Sequence, residues 1–252
     1  MKRIYISLLS GVLVILSAVA FYALVWNGVI LLNGFAAKGY SVRGVDVSHY
    51  QGEIDWEVLS DQDIHFAFIK ATEGSSFVDD KFEYNFTEAQ KTELKVGAYH
   101  FFSFDSGAET QAANFISTVK PFKGMLPPVI DFEFYRDIEN NPPESSVVCQ
   151  SLQTMLDILE AYYGLKPIIY ATEESYELYL ADGFDDYDIW IRNVISRPKL
   201  SDKREWTFWQ YTNRGKLKGY NGEERFIDIN VYSKDINAFN DYPVYSPNNK
   251  TN

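Results

Sequence analysis

The chain opens on an unbroken apolar run and then settles into a repeating alternation. From Ile4 to Trp26 there are 23 consecutive positions without a charge, preceded by Lys2 and Arg3, and apolar character continues to Leu32. A membrane-spanning helix needs about 20 apolar residues, whereas a cleavable secretory signal has an apolar core of about 7–15. The pattern therefore predicts an uncleaved signal anchor within residues 1–37, with residues 4–32 in contact with the membrane. Basic residues on the short N-terminal side keep that end in the cytoplasm. The stretch GFAAKG at 34–39 leaves a cleaved signal peptide, and so a secreted protein, as the alternative. In both cases residues from about 38 onward lie outside the cytoplasm, in a periplasm or at a cell surface.

Beyond the anchor, short β-rich runs recur. They are RGVDVSHY (43–50), FAFIKAT (66–72), VGAYHFF (96–102), PPVIDFEF (127–134), PIIYAT (167–172), DIWIRNV (188–194), FWQYT (208–212) and IDINVY (227–232). Between the early runs lie segments of helical spacing at 80–93, 107–119, 144–163 and 173–181, the third with Ser145 or Ser146 available as a cap. Strand–helix alternation argues for a parallel sheet with helical crossovers. After the sixth strand the helical spacing gives way to polar turns. The expected fold class is thus α/β, a TIM-like (β/α)5β3 barrel preceded by an N-terminal transmembrane helix. Its catalytic domain spans 38–240, and a polar tail, 241–252, is expected to fray.

Composition narrows the function. Of 252 residues, 46% are apolar and 16% aromatic, enough for one large core. Beyond residue 36 there are 21 basic and 35 acidic side chains, a net of −14, and no acid precedes Asp46. Nucleic acid is a poor partner for such a surface, since phosphate binding draws on clustered Lys and Arg. Cys149 is the single cysteine, so no disulfide forms within the chain; its apolar neighbours Val147, Val148 and Leu152 mark it as a small core residue. The three histidines, His49, His65 and His100, form no His-x-x-His or His-x-x-x-His pair, which leaves a carboxylate-metal site only as a minor alternative. A Gly-x-Ser-x-Gly elbow is missing, which removes the serine-hydrolase reading.

In a (β/α) barrel the active site lies at the C-terminal ends of the strands. Those ends carry Asp46 and His49, Glu73, His100, Asp131 with Glu133, Tyr170, Arg192, Gln210, and Asp228 with Asn230. Asp131 and Glu133 interrupt an apolar strand two residues apart and so share one face. Two like charges brought together out of water are costly unless hydrogen-bonded or protonated. Paired carboxylates are also the usual equipment for cleaving a glycosidic bond, one protonated as the acid and the other ionised. Tyr50, Tyr99, Phe101, Tyr170, Trp190, Trp209 and Tyr211 lie on or beside these strands, where rings can pack on sugar CH faces or simply fill the core.

The segments RGVDVSHYQGEIDW, FAFIKATEGSSFVDDKFEYN, VGAYHFFSF, LPPVIDFEF, WTFWQYT and FIDINVY resemble the successive signature segments of glycoside hydrolase family 25, over about residues 42–233. These are lysozymes, N-acetylmuramidases that cut the β-1,4 bond between N-acetylmuramic acid and N-acetylglucosamine in peptidoglycan. The resemblance implies Glu133 as general acid/base and Asp131 as its assistant, orienting the N-acetyl group or stabilising positive charge. Asp46 and Asp228 complete the acidic cluster. It further implies retention, with the 2-acetamido group as internal nucleophile. Tyr50, Glu73, Tyr99, His100, Tyr170, Arg192 and Gln210 are the expected substrate contacts, and no cofactor, metal or protein partner is implied. Two departures stand out: Tyr50 replaces the family's usual tryptophan, and Arg192-Asn193-Val194 follows Trp190-Ile191 where a small residue and a tyrosine are common. A non-catalytic glycan-binding protein and a chitinase-like glycosidase are the alternatives. The second is weakened because Pro127, Pro128 and Val129 stand where a chitinase carries a further acid.

Overall fold

The computed structural model describes residues 2–249; the last three residues of the expected tail, 250–252, lie outside the described residues. The N-terminal run forms helix α1 (Lys2–Trp26), of which Leu8–Trp26 has a mean hydropathy of 2.5 and no residue buried against the rest of the protein. That stretch is long and apolar enough to cross a membrane.

All eight expected strands are present: β1 (Arg43–Val47), β2 (Phe66–Glu73), β4 (Lys95–Phe101), β5 (Val129–Phe132), β6 (Ile168–Thr172), β7 (Ile189–Arg192), β8 (Phe208–Gly215) and β9 (Ile227–Tyr232). A two-residue strand, β3 (Phe77–Val78), pairs with the end of β2 and was not foreseen; two residues show no periodicity. The strands pair in parallel from β1 through β2 and β4 to β8, while β9 is antiparallel to both β8 and β1 and closes the sheet on itself. Closure leaves no free edge among the eight. A direct hairpin joins β8 to β9, which forces the antiparallel sense.

Helices α3 (Trp56–Ser60), α4 (Phe82–Ala89), α5 (Ala108–Thr118), α6 (Ser145–Tyr163) and α7 (Glu173–Tyr179) follow β1, β3, β4, β5 and β6. Their apolar stripes cover the outer face of the sheet: on α6 these are Val148, Leu152, Met155, Leu156, Leu159 and Tyr163. That helix starts one residue earlier than its serines imply, with Glu144 at the N-cap, and ends at Gly164 in the left-handed region (φ +67°). Cys149 is half-buried on its flank and donates to the Tyr179 carbonyl at 3.3 Å.

Inside the barrel, strand alternation sends Phe66, Phe68, Val129, Ile168, Trp190, Phe208 and Tyr232 into a second core. Phe68 stacks on Trp190 with ring centroids 4.9 Å apart. Room for these rings comes from glycine on the facing strands: a Cβ at Gly44 would lie 2.3 Å from the Phe66 ring, and one at Gly97 2.7 Å from Phe68. Helix α8 (Ile236–Asn240) plugs the N-terminal end with Phe239, and Tyr242 just beyond it joins the plug. The segment after it is not frayed through Tyr245. Tyr242 is buried and donates to Asp188 at 2.6 Å, and the Tyr245 backbone exchanges two hydrogen bonds with Gly124 and Met125. Two aromatic residues hold down a stretch whose average composition is polar. With one end filled, only the C-terminal mouth remains open.

Candidate active site

The same alternation that packs rings low in the barrel places polar groups above them. Asp46 (β1), Lys70 (β2), Tyr99 and Phe101 (β4), Asp131 (β5), Tyr170 (β6), Trp190 (β7), Gln210 (β8) and Asp228 (β9) share one cleft of about 250 Å³ with Glu133, Ser48 and Tyr50. Glu133, Tyr170, Asp228 and Tyr50 also line an adjoining groove with Arg192, Asn213 and Phe226, so the two form one trough. A larger groove of about 780 Å³ between α3 and α4 has no such convergence of buried acids; its carboxylates, Glu57 and Glu88 among them, sit at the surface. The chemistry belongs to the smaller cleft.

Asp46 is held by a network drawn from five strands. Its Oδ1 accepts from Asn230 Nδ2 at 2.6 Å and from Gln210 Nε2 at 3.1 Å. Gln210 in turn accepts from the Tyr170 hydroxyl at 3.0 Å, and Asn230 accepts from Trp190 Nε1 at 2.8 Å. Each partner fixes the next, so the carboxylate's position is set before any ligand arrives. Asp131 differs: its Oδ1 is buried without a hydrogen-bond partner, the one such side-chain atom among the described residues.

The four acids resist ionisation. Burial is the main cause throughout, since low-dielectric surroundings penalise the charged form. It lifts Asp46 from 3.8 to about 6, against hydrogen bonds from Asn230 and Gln210 that favour the anion. Burial raises Asp131 well above the carboxylate range, with the Glu133 charge adding to the effect. Asp228 is raised likewise by burial and then by Asp46. Burial also raises Glu133, opposed by Arg192 and Lys70 and assisted by Asp46. A cluster of this kind holds shared protons near neutrality, and they belong to the group rather than to single residues.

Two expected contacts are misplaced. His100 is fully buried on the outer face of β4, where its Nδ1 meets Thr72 Oγ1 at 2.7 Å and its Nε2 meets Gln111 Oε1 at 3.1 Å. Its neighbours Tyr99 and Phe101 take the inward positions, so parity alone turns His100 away from the cleft. Burial depresses it from 6.5 to about 4, leaving it neutral. Glu73 sits at the rim and does not line the cleft; it binds Lys70 Nζ at 2.8 Å. Lys70 itself was overlooked. Its signal was a lysine at inward parity within the apolar run FAFIKAT. His49 also lies outside the cleft, its ring and backbone nitrogens bound to Asp79 at 2.8 and 2.9 Å. With Asp80 these residues bring three ligand-type groups together, but Asp79 is already engaged by three donors in tying its loop. Of the flagged rings, Trp209 and Tyr211 are core residues on the outer face, with Trp209 Nε1 donating to the Asn193 carbonyl.

The sequence profile of the glycosyl hydrolases family 25 matches residues 45–220. The chain belongs to that family. A family 25 glycosyl hydrolase from Bacillus anthracis is similar in structure, with a TM-score of 0.77 and 56% identity over 81% of this chain and 94% of that one. Lysozyme M1 of Streptomyces globisporus is 31% identical over 76% of this chain and 68% of its own length. The uncharacterized protein YegX of Escherichia coli K12 is 35% identical over 80% of this chain and 74% of that protein. The family-25 assignment makes this protein a glycoside hydrolase. The acids and rings of the trough belong to β1, β4, β5, β6, β7 and β9, the turns that follow β1 and β5, and the β8–β9 hairpin.

Proposed function

We propose that this family-25 enzyme is a muramidase that hydrolyses the β-1,4 bond between N-acetylmuramic acid and N-acetylglucosamine in peptidoglycan. The observation that carries the proposal is the meeting of Asp46, Asp131, Glu133 and Asp228 in one aromatic-lined trough closed at its far end. Glu133, where the two parts of the trough join, donates its proton to the glycosidic oxygen as the C1–O bond breaks. The substrate's 2-acetamido oxygen bonds to C1 and gives a cyclic oxazolinium ion. Glu133, now a carboxylate, takes a proton from the water that reopens the ring, so configuration is retained. Asp131 orients the acetamido group. Its unpartnered buried Oδ1 suits the acetamido N–H as donor and stabilises the positive charge that develops there. Asp46 and Asp228 supply negative potential beside C1, while Tyr50 and Arg192 contact the sugars further along the trough.

We further propose that α1 is an uncleaved anchor in a (β/α)5β3-barrel enzyme, holding the barrel outside the cytoplasm. Mass spectrometry of products from purified peptidoglycan tests the bond assignment: fragments ending in reducing N-acetylmuramic acid are expected. In the same assay Glu133→Gln loses several decades of rate. Turnover equal to wild type in that variant removes Glu133 as the acid, and release of N-acetylglucosamine ends overturns the muramidase reading.

A further inference from the structure

An anchor that precedes β1 would ordinarily enter a barrel at its N-terminal end, here the end plugged by α8, and point the open mouth away from the membrane. The path of residues 27–42 reverses that expectation. Helix α1 ends at the mouth. The Trp26 carbonyl, one of the unpaired acceptors at a helix C-terminus, accepts from Arg214 Nη1 at 2.6 Å, and the guanidinium lies 4.4 Å from the Trp26 ring. Asn27 Oδ1 accepts from Arg225 Nη1 at 3.0 Å. Gly28 (φ +62°) comes so near the β8–β9 hairpin that a Cβ there would lie 2.6 Å from the Arg214 carbonyl and 2.9 Å from the Phe226 ring. Phe226 is also a wall of the catalytic trough, two residues from Asp228.

From that point the chain descends along β8. Buried Asn33 donates to the Asn193 and Tyr211 carbonyls at 2.8 and 3.2 Å. The short helix α2 (Gly34–Ala37) follows, and Tyr40 packs on Trp206 and Trp209 before β1 begins at the far end. This is a fixed strap rather than a loose tether.

The hairpin it grips is unlike the rest of the surface. Within a strongly acidic protein, residues 213–226 carry Arg214, Lys216, Lys218 and Arg225 against Glu223 and Glu224, and all but Arg214 are exposed. Trp26, stacked with Tyr22, ends the apolar span in the manner of an interfacial aromatic. Basic residues beside a membrane helix are drawn to anionic headgroups, each worth about fivefold in partition.

Building on the anchored-muramidase reading, we propose that the strap and the basic β8–β9 hairpin seat the mouth of the barrel against the anionic headgroups of the membrane that α1 enters. The trough then faces the glycan lying next to the bilayer rather than the outer layers of the wall.

The full chain, with Cys149→Ser and a fluorophore on Glu223→Cys or Asn237→Cys, is inserted into phosphatidylglycerol–phosphatidylcholine vesicles containing a headgroup spin-labelled lipid. Glu223 is on the hairpin and Asn237 is exposed on α8 at the opposite end. Quenching is expected several-fold stronger at 223 than at 237. Arg214→Glu/Arg225→Glu should erase that difference while hydrolysis of soluble glycan fragments in detergent stays at wild-type rate, showing that the barrel still folds. Equal quenching at both positions in vesicle-bound protein overturns the seating while leaving the muramidase and its anchor intact. Protein that fails to float with the vesicles overturns the anchor, and the seating with it; absent fragment release in detergent bears instead on the enzymatic reading.

Discussion

Replacing Asp46 with asparagine separates the energetic cost of the acidic cluster from its chemical use. Burial raises the Asp46 carboxyl from 3.8 to about 6. Between these values the native protein binds more protons than the unfolded chain, so stability falls as pH rises through that window and the full cost applies above about pH 7. The rise corresponds to roughly 3 kcal/mol at about 1.4 kcal/mol per tenfold change in the proton equilibrium. Asp46 is only half-buried in an open cleft, so about 1–2 kcal/mol is the expected share after solvent screening. Asparagine suits the site. Its carbonyl can stand at Oδ1 and accept from both Asn230 and Gln210, while its amide faces Asp228, which is hydrogen-bonded to Asp46 in the native cluster; only the 3.2 Å bond that Oδ2 accepts from Gln210 is forfeited. Losing the Asp46 charge also relieves Asp228. At pH 7.5 the variant should unfold about 2–8 °C higher than wild type, at about 2–4 °C per kcal/mol for a domain of this size. At pH 4 the two should nearly coincide. Thermal unfolding of residues 27–252, which retain the strap, is the assay, and fragment release should collapse in the same sample. His100 imposes the opposite slope on both proteins: its value near 4 means that stability is lost as pH falls from about 6.5, so only the difference between variant and wild type is diagnostic. A variant no more stable than wild type at pH 7.5, or one with the same advantage at both pH values, refutes the reasoning.

Activity against pH should be a bell whose alkaline limb lies above the ordinary carboxylate range, because the proton used for catalysis comes from raised carboxyls. Lys70→Met should move that limb to higher pH, since Lys70 holds Asp131 and Glu133 down; Glu73→Gln should move it lower, since the Glu73 charge raises Asp131. Movement of both variants in one direction would contradict this electrostatic picture. Gly44→Ala should lower the unfolding free energy by about 3 kcal/mol, the overpacking cost of a methyl driven into the Phe66 ring, and so lower the chemical-denaturation midpoint, with little change at the mouth. A wild-type midpoint would show that the barrel interior yields more readily than its ring packing implies.

How far the sequence carries can be followed along β5 and its neighbours. Strand periodicity places every barrel strand, because inward and outward faces are both buried and each run reads as apolar between turn residues. The same parity rule, applied strictly, would have turned His100 outward, since Tyr99 and Phe101 must then face the cleft, and would have brought Lys70 in beside Asp131. Reading strand ends as a list of polar residues ignores parity, and that is where His100 was misassigned and Lys70 lost. Glu73 differs: strict alternation from Phe66, Phe68 and Lys70 would turn it outward, but an irregularity between Lys70 and Thr72 restores it to the register of inward Phe101, at the rim, where it binds Lys70. Other features leave no local trace. The grip of Arg214 on Trp26 spans 188 residues, and Tyr242 reaches Asp188 across 54, so no window along the chain contains both partners.

The arrangement of the barrel explains why the acids can be kept at all. Four raised carboxyls are a standing electrostatic load at neutral pH, and they sit directly above Phe68, Tyr170 and Trp190, a layer of aromatic rings. Those rings supply the low dielectric that raises the acids, and two of them also supply the donors that restrain Asp46: Tyr170 through Gln210, and Trp190 through Asn230. Packing and proton affinity are therefore set by the same side chains. Trp190→Phe shows the coupling. It keeps the ring stacked on Phe68 but leaves Asn230 Oδ1 without its donor, freeing that amide to rotate away from Asp46. Asp46 then loses its leading stabilising hydrogen bond and should rise further, shifting more of the cluster's proton binding onto β1. The expected result is a fall in kcat with a displaced pH optimum and little change in denaturation midpoint. A fall in stability matching the fall in rate would instead mean that Trp190 acts only through packing.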